Sequence, residues 1–475
     1  MKKTLKLIVA LALVASMVLS FASCDFIENL LGITRGVDTK NHIIHVGNTA
    51  ATSGAFASVG VPFNHAQEAY FWYYTTQTEG YQDAEGNKYT IQFHHYDDGF
   101  NGEQGKALTQ KLVEKDRVFA LVGHFGSDTV SATVDYLEDK GIPMVYGVCG
   151  VSGLYNTEAN IMTVQPIYDT EGQSMVATAF APVEAGGLGA TKLGVISTTD
   201  EAGKGMLNGI NIELAKLGKT AVCQAVGAKD TDYTAAVTAL KTAGCDVVII
   251  AANQAPFINI ANTFVATQYE NVKLITSYVS ANAATMGGLV KTGAISATRE
   301  VYAGAWLVTG SLPNPAFKGW NDFVEYVKIM TMYDKAHGNE ILSNYMLPSG
   351  YKDAEGNDIM YDLLPIYFGT EDWFVEAGGV SAYFLNSYAM AGYVSANVFC
   401  QGLSRMSGQE LTWEGYIAAM ESAPVNVPMG QSVNYANGQR VGIDSLALNK
   451  YTVLNYNGEL YRNITDLKTL EDAIK

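Results

Sequence analysis

The chain repeats one unit, a short β-branched run followed by an amphipathic run of helical length. Strands alternating with helices of this length build a parallel sheet covered on both faces. The first block predicts strands over 43–46, 89–96, 118–122 and 143–146, with helices over 61–75, 104–114 and 128–139 between them. Phe63, Ala66, Tyr70 and Tyr73 mark the apolar face of the first helix. The pattern restarts after Thr163, with strands over 193–196, 221–225, 246–251 and 273–275 and helices over 205–217, 233–243 and 257–267. The fold class is α/β, two doubly wound parallel-sheet lobes, and ligands of such sheets bind beyond the carboxyl ends of the strands.

Three segments interrupt the alternation. Residues 81–89 and 351–357 share Asp-Ala-Glu-Gly-Asn, which reads as a hairpin turn with Gly86 or Gly356 at positive φ. The stretch from about 311 to 373 is rich in Tyr, Gly and Pro without clean periodicity and reads as an insertion.

At the start, Lys2, Lys3 and Lys6 precede an apolar run over 7–19, too short to span a bilayer comfortably. This is the layout of an export signal and is excluded from the fold. Ala22-Ser23-Cys24 at its end resembles the lipobox of bacterial lipoproteins, which implies lipidation of Cys24; an ordinary cleaved signal with an incidental cysteine is the alternative. Residues 25–40 then read as a tether, with a short helix over 26–31 as the other possibility. No later stretch reads as a second membrane segment, so the mature protein is expected outside the cytoplasm, anchored only by its lipid.

With 475 residues, 48% hydrophobic and 16% charged, the chain is long enough for two or three domains. Its net charge of −17, about −20 without the signal lysines, argues against nucleic acid, whose phosphates need Lys and Arg. Cys149, Cys223, Cys245 and Cys400 fit no zinc spacing. Pairing of Cys223 with Cys245 stays open. His94-His95 could suggest metal ligation, but neighbouring side chains on a strand point to opposite faces. There is no Ser-His-Asp signature, phosphate loop or zinc helix, and no local signature makes Cys149 a nucleophile. No cofactor or metal is expected, and the chain does not read as an enzyme.

Several strings occur together in order. Val46-Gly47-Asn48 is followed by Thr52-Ser53-Gly54 and Gly60, then Tyr96-Asp97-Asp98-Gly99, then Leu121-Val122-Gly123-His124-Phe125-Gly126-Ser127 and Glu138-Asp139-Lys140-Gly141-Ile142-Pro143. In combination they resemble the leucine/isoleucine/valine-binding proteins, type I periplasmic solute-binding proteins of branched-chain amino acid ABC transporters. Residues 186–305 resemble that family's second lobe, and 382–396 its late helix. The resemblance implies a monomer whose two lobes, joined by a multi-strand hinge, close on a small solute for an ABC permease. The lobes then fall at 41–165 with 304–438, and at 166–303 with 439–475. A sensing protein that signals to a membrane partner, and a secreted α/β hydrolase, are the alternatives.

Gly126-Ser127 ends a strand and opens a helix, leaving free backbone N–H groups beside a hydroxyl, a pairing able to bind a carboxylate. Ser127 as an N-cap is compatible with this. The resemblance places a ligand-holding carbonyl at Val148, beside Cys149, and a Thr where Gly150 stands; Ser152 could compensate. Its acidic partner for an ammonium falls on Tyr278, and two second-lobe aromatic positions fall on Ala202 and Asn253. Burying an unpaired ammonium costs several kcal/mol, and micromolar binding is worth only about −8 kcal/mol. An α-amino acid is therefore disfavoured unless Asp169, Asp200 or Glu201 substitutes. A carboxylate, amide or other small polar solute is expected, flanked by Phe125, Tyr146, Tyr168 and Tyr278; these aromatics also read as packing residues, Tyr168 equally so.

Overall fold

The computed structural model describes residues 33–281, 283–307, 318–338, 348–352, 358–360, 386–452, 462–463 and 468–469. The export signal, Cys24, the proposed helix over 26–31 and much of the expected insertion lie outside the described residues.

The first sheet contains β1 (Ile33–Thr34), β2 (Val37–Asp38), β3 (Ile43–Ala50), β4 (Thr90–Asp97), β5 (Ala120–Val122), β6 (Met144–Val145) and β7 (Ile161–Met162). Helices α1 (Ala57–Gln77), α2 (Gly102–Glu114) and α3 (Ser127–Lys140) alternate with its strands. Parallel pairing runs β4-β3-β5-β6-β7, and β1 and β2 add an antiparallel hairpin beside β3. The end of the expected tether is thus part of the sheet, with Val37 opposite Ile44. At 81–89 the expected hairpin forms, Gln82 bridging Lys88 with Gly86 at φ +85°.

The second sheet follows α4 (Tyr168–Phe180) and contains β8 (Leu193–Thr198), β9 (Ala221–Val226), β10 (Val247–Ala251), β11 (Lys273–Thr276) and β12 (Val301–Ala305). Its helices are α5 (Glu201–Leu217), α6 (Thr234–Ala243), α7 (Gln254–Ala266) and α8 (Ala283–Thr292). Strands β8 and β10 are buried along their whole length, as strands covered on both faces must be. The parallel order β9-β8-β10-β11-β12 repeats the winding of the first sheet. Helix α5 is capped at both ends, by the Asp200 side chain accepting from Gly203 N and by Gly218 in the left-handed region.

The sequence pattern gives no helix at α4. Gly172 and the acidic residues Asp169 and Glu171 break its amphipathic signal, and α4 is held instead by close packing on α5.

The remaining elements are α9 (Lys318–Ala336), β13 (Pro348–Lys352), β14 (Asp358–Met360), α10 (Ser387–Met406), α11 (Trp413–Glu421), β15 (Ser445–Tyr451), β16 (Arg462–Asn463) and β17 (Lys468–Thr469). Part of the expected insertion is therefore a regular helix. Trp320, Phe323, Val327, Met330 and Asp334 of α9 are buried at helical spacing, and the helix packs on α1, as does α10. The Gly- and Pro-bearing stretches on either side of it in sequence hid that period. Strands β13 and β14 pair antiparallel around 353–357, so the second expected hairpin has its flanking strands while its turn lies outside the described residues. Strand β15 joins the second sheet antiparallel to β12, so that sheet is mixed rather than purely parallel.

Three segments cross between the sheets: after β7, after β12 and ahead of β15. The first and third pair directly, Thr163 N with Arg440 O at 3.0 Å and Ile443 N with Val164 O at 2.9 Å.

Candidate functional site

The carboxyl ends of both sheets meet at a cleft of about 630 Å³, open mouth included. The first lobe brings Phe56, Val59, Phe100, Phe125, Gly126, Ser127, Tyr146, Val148, Ser387, Tyr388 and Ala391. The second brings Tyr168, Asn253, Gln254, Tyr278 and Val279, and the crossing segments bring Gln165 and Trp306.

Local sequence fixes the first wall. Gly126 sits at φ +101° as the cap of α3, where a Cβ would come 3.0 Å from the Phe100 ring. Ser127 is therefore the first residue of α3 and not its N-cap. Its hydroxyl lies 3.1 Å from that of Tyr168, in a hydrogen bond reaching across the cleft. The first hydrogen bond inside α3 runs from Val130 N to Gly126 O, so the N–H groups of residues 127–129 have no partner within the helix. His124 anchors the turn from behind. Burial pushes its pKa down to about 3 and keeps it neutral. Its Nδ1 accepts from Thr49 N at 3.3 Å, leaving Nε2 for the Thr109 and Thr133 hydroxyls. Asp98, the expected turn residue, accepts from Thr49, Thr129 and Phe100 N.

A relay of neutral groups crosses the floor. The Tyr146 hydroxyl donates to Gln165 Oε1 at 3.0 Å, and Gln165 Nε2 donates to the Tyr278 oxygen at 3.1 Å. Tyr278 in turn donates to the Pro166 carbonyl at 2.7 Å. Tyr388 donates to the Val279 carbonyl from the opposite lobe. Burial raises all the cleft tyrosine hydroxyls well above their ordinary range, so they act as neutral donors. Tyr146 sits at φ +61°, strain of the kind that collects at functional sites.

Among the described residues, no acidic or basic side chain lines the cleft. Aromatic faces can enclose a flat apolar body. The start of α3 with Ser127 can take a carboxylate or amide oxygen. Among the described residues, no carboxylate there pairs with an ammonium.

Of the residues expected at the site, Phe125, Gly126, Ser127, Tyr146, Val148, Tyr168, Asn253 and Tyr278 line the cleft. Cys149, Gly150, Ala202 and Asp169 do not. The carbonyl of Val148 already accepts from Gly126 N at 3.1 Å. A Cβ at Gly150 would lie 2.5 Å from the Tyr168 ring, so Tyr168 fills the space a Thr side chain would need there. Ala202 is buried in α5. Asp169 accepts from Asn208, Asp200 caps α5, and Glu201 pairs with Lys204 at 2.9 Å, so none substitutes at the cleft. Gln254, Val279 and Trp306 escaped the sequence reading, although each stands just beyond a strand's carboxyl end, the placement that could have found them.

The discounted groups have other partners. His94 meets His45 and His95 meets Glu68, on opposite sides of β4. Burial pushes the Cys149 thiol up to about 11, a poor nucleophile. Cys223 and Cys245 are both free; β8 separates β9, which carries Cys223, from β10, which follows Cys245.

Residues 43–355 match the family model described as periplasmic binding protein. An amino acid binding protein of Pseudomonas aeruginosa is 27% identical over 153 residues, 32% of this chain. That match spans 40% of the relative's own length. Among solved structures, a fatty acid ABC transporter substrate-binding protein from Thermomonospora curvata aligns with a TM-score of 0.67 at 15% identity, over 93% of this chain and 96% of that one. A leucine binding protein from Thermotoga maritima gives 0.63 at 13%, over 90% and 98%. A Rhodopseudomonas palustris solute-binding protein in complex with 4-hydroxybenzoate gives 0.62 at 17%, over 90% and 97%. These likenesses are of fold. The family and these neighbours are binding proteins rather than enzymes, and the family's location is extracytoplasmic. No described helix is long and apolar enough to cross a membrane. On its family match, its two-sheet fold and its interlobe cleft, the chain belongs to the periplasmic binding protein family.

Proposed function

We propose that this protein is the lipid-anchored solute receptor of an ABC importer, closing its lobes on a small carboxylate or amide with an apolar, preferably aromatic body. The lining of the cleft carries this reading: aromatic faces, neutral hydroxyl and amide groups and, among the described residues, no charged side chain. A carboxylate gains from the free N–H groups and dipole at the start of α3 and from the Ser127 hydroxyl. An α-amino acid would bury its ammonium unpaired, which costs several kcal/mol. The solved neighbours named for fatty acid transport and for a 4-hydroxybenzoate complex support solutes that lack an ammonium. Lipidation at Cys24 would hold the receptor, as a monomer, beside its permease.

The proposal predicts that benzoate, 4-hydroxybenzoate or a related acid raises the melting temperature of the purified mature protein. Stabilisation of about 2.7 kcal/mol is expected at a hundredfold excess over Kd. No shift from any acid or amide in a broad solute panel would overturn it.

A further inference from the structure

Behind the cleft, in the first turn of α4, the fully buried carboxyl of Glu171 holds the turn that follows β11. Its Oε1 accepts from Tyr278 N at 2.7 Å and its Oε2 accepts from the Ser277 hydroxyl at 2.8 Å. Ser277 Oγ also accepts from Val279 N at 3.2 Å. Two successive cleft residues are thus presented by a turn whose base rests on one carboxyl group.

Among the described residues, no cation compensates this acid. On the elements packed around it, Lys273 of β11 donates to the Leu188 carbonyl, Lys450 of β15 pairs with Glu300, and Lys216 of α5 pairs with Glu213. Strand β12 presents Gly304 and Tyr302, whose hydroxyl bonds Glu300. The titratable groups nearest the carboxyl are Tyr278 and, on its own helix, Tyr168, both neutral. Glu171 also borders a second cavity of about 610 Å³, mouth included, lined by Ser174, Thr178, Gly186 and Leu446. That cavity gives its proton a route to solvent without passing through the cleft.

We propose that Glu171 is a proton-linked positioning residue: its carboxyl proton, exchanged through the second cavity, sets how Tyr278 and Val279 are presented to the solute. This rests on the cleft being the solute site. With its proton, Glu171 is a neutral acid: Oε1 still accepts from Tyr278 N, while Oε2 carries the proton and donates to Ser277 Oγ, reversing that bond. Ionised, it is an acceptor-only group buried with no opposite charge. Relief requires water from the second cavity to reach the carboxylate, which loosens the turn above it. Burial holds the group protonated up to about 8, against 4.5 for an ordinary glutamate. The folded chain therefore binds one more proton than the unfolded chain across that window. Stability falls as pH rises from about 4.5 to about 8 and is level above it.

The test uses the full mature protein carrying 3-fluorotyrosine and ¹³C-carboxyl glutamate, with the Tyr278 fluorine assigned by Tyr278→Phe and the Glu171 carboxyl by Glu171→Gln. In the unsubstituted protein the two resonances should move with one shared midpoint near pH 8. In Glu171→Gln, which keeps an acceptor for Tyr278 N, the fluorine should stay fixed between about pH 6 and 9.5. In Glu171→Ala it should shift at every pH. A Tyr278 resonance that ignores the Glu171 titration, or that still titrates in Glu171→Gln, overturns the proposal. The shared midpoint in the unsubstituted protein decides the matter even where a variant does not fold. With benzoate as probe, affinity should weaken about threefold or more from pH 7 to 9.5, and not in Glu171→Gln. A pH-independent benzoate affinity overturns the coupling, whereas no benzoate binding counts against the solute reading and leaves the resonances to judge Glu171.

Discussion

Gly209→Val should lower the unfolding free energy by about 4 kcal/mol or more, read from the midpoint of urea denaturation. Helices α4 and α5 approach backbone to backbone at this point. A Cβ on Gly209 would lie 2.1 Å from Asp169 O, and a Cβ on Gly172 would lie 2.2 Å from Met206 O. Neither contact is with a flexible side-chain end, so only a shift of a whole helix can relieve it. Such a shift carries Tyr168 and Glu171 with it, because both lie on the first turn of α4. The variant should therefore lose solute binding as well as stability. A loss below about 1 kcal/mol, the size of an ordinary surface change, would mean that the two helices do not cross here as described.

The second large effect concerns Gly150 and Tyr168. Gly150→Thr alone should cost about 1–3 kcal/mol by overpacking, since its Cβ meets the Tyr168 ring at 2.5 Å. Tyr168→Ala alone should cost about 3–5 kcal/mol, the range for deleting a buried aromatic ring. Together the two changes should cost less than their sum by at least about 1 kcal/mol, because the threonine enters space the ring has left. Urea unfolding of the four proteins closes the cycle. Additive losses would contradict the view that Tyr168 occupies the place of the missing threonine.

This exchange shows how much of the site was legible in the sequence. The strand-helix alternation, the Gly126-Ser127 turn and the aromatics Phe125 and Tyr146 could be placed because they stand at strand ends, where the period of the pattern changes, whereas Tyr278 was placed by the family resemblance. Gly150 reads from sequence as a lost ligand-binding threonine. Its physical reason, a ring arriving from the other lobe, is a tertiary contact with no local signal. Helix α4 was illegible for the same cause, since it is held by glycine-mediated packing on α5 rather than by an apolar stripe. Helix α9 did have that stripe, at Trp320, Phe323, Val327 and Met330, beneath a composition that suggested a loop. Gln165, Trp306 and Tyr388 reach the cleft from crossing segments and a late helix far apart in sequence, which only the closed topology brings together.

Titration calorimetry of amino acids against their deaminated counterparts tests the neutral cleft most directly: L-phenylalanine with 3-phenylpropanoate, and L-leucine with 4-methylpentanoate. Each pair keeps the carboxylate and apolar body and differs only in the ammonium. Since no carboxylate lines the cleft among the described residues, it should bind the deaminated acid at least about tenfold more tightly, a difference of about 1.4 kcal/mol. Equal or tighter binding of the amino acids would show that an acidic group reaches the ammonium after all, and would contradict the assignment.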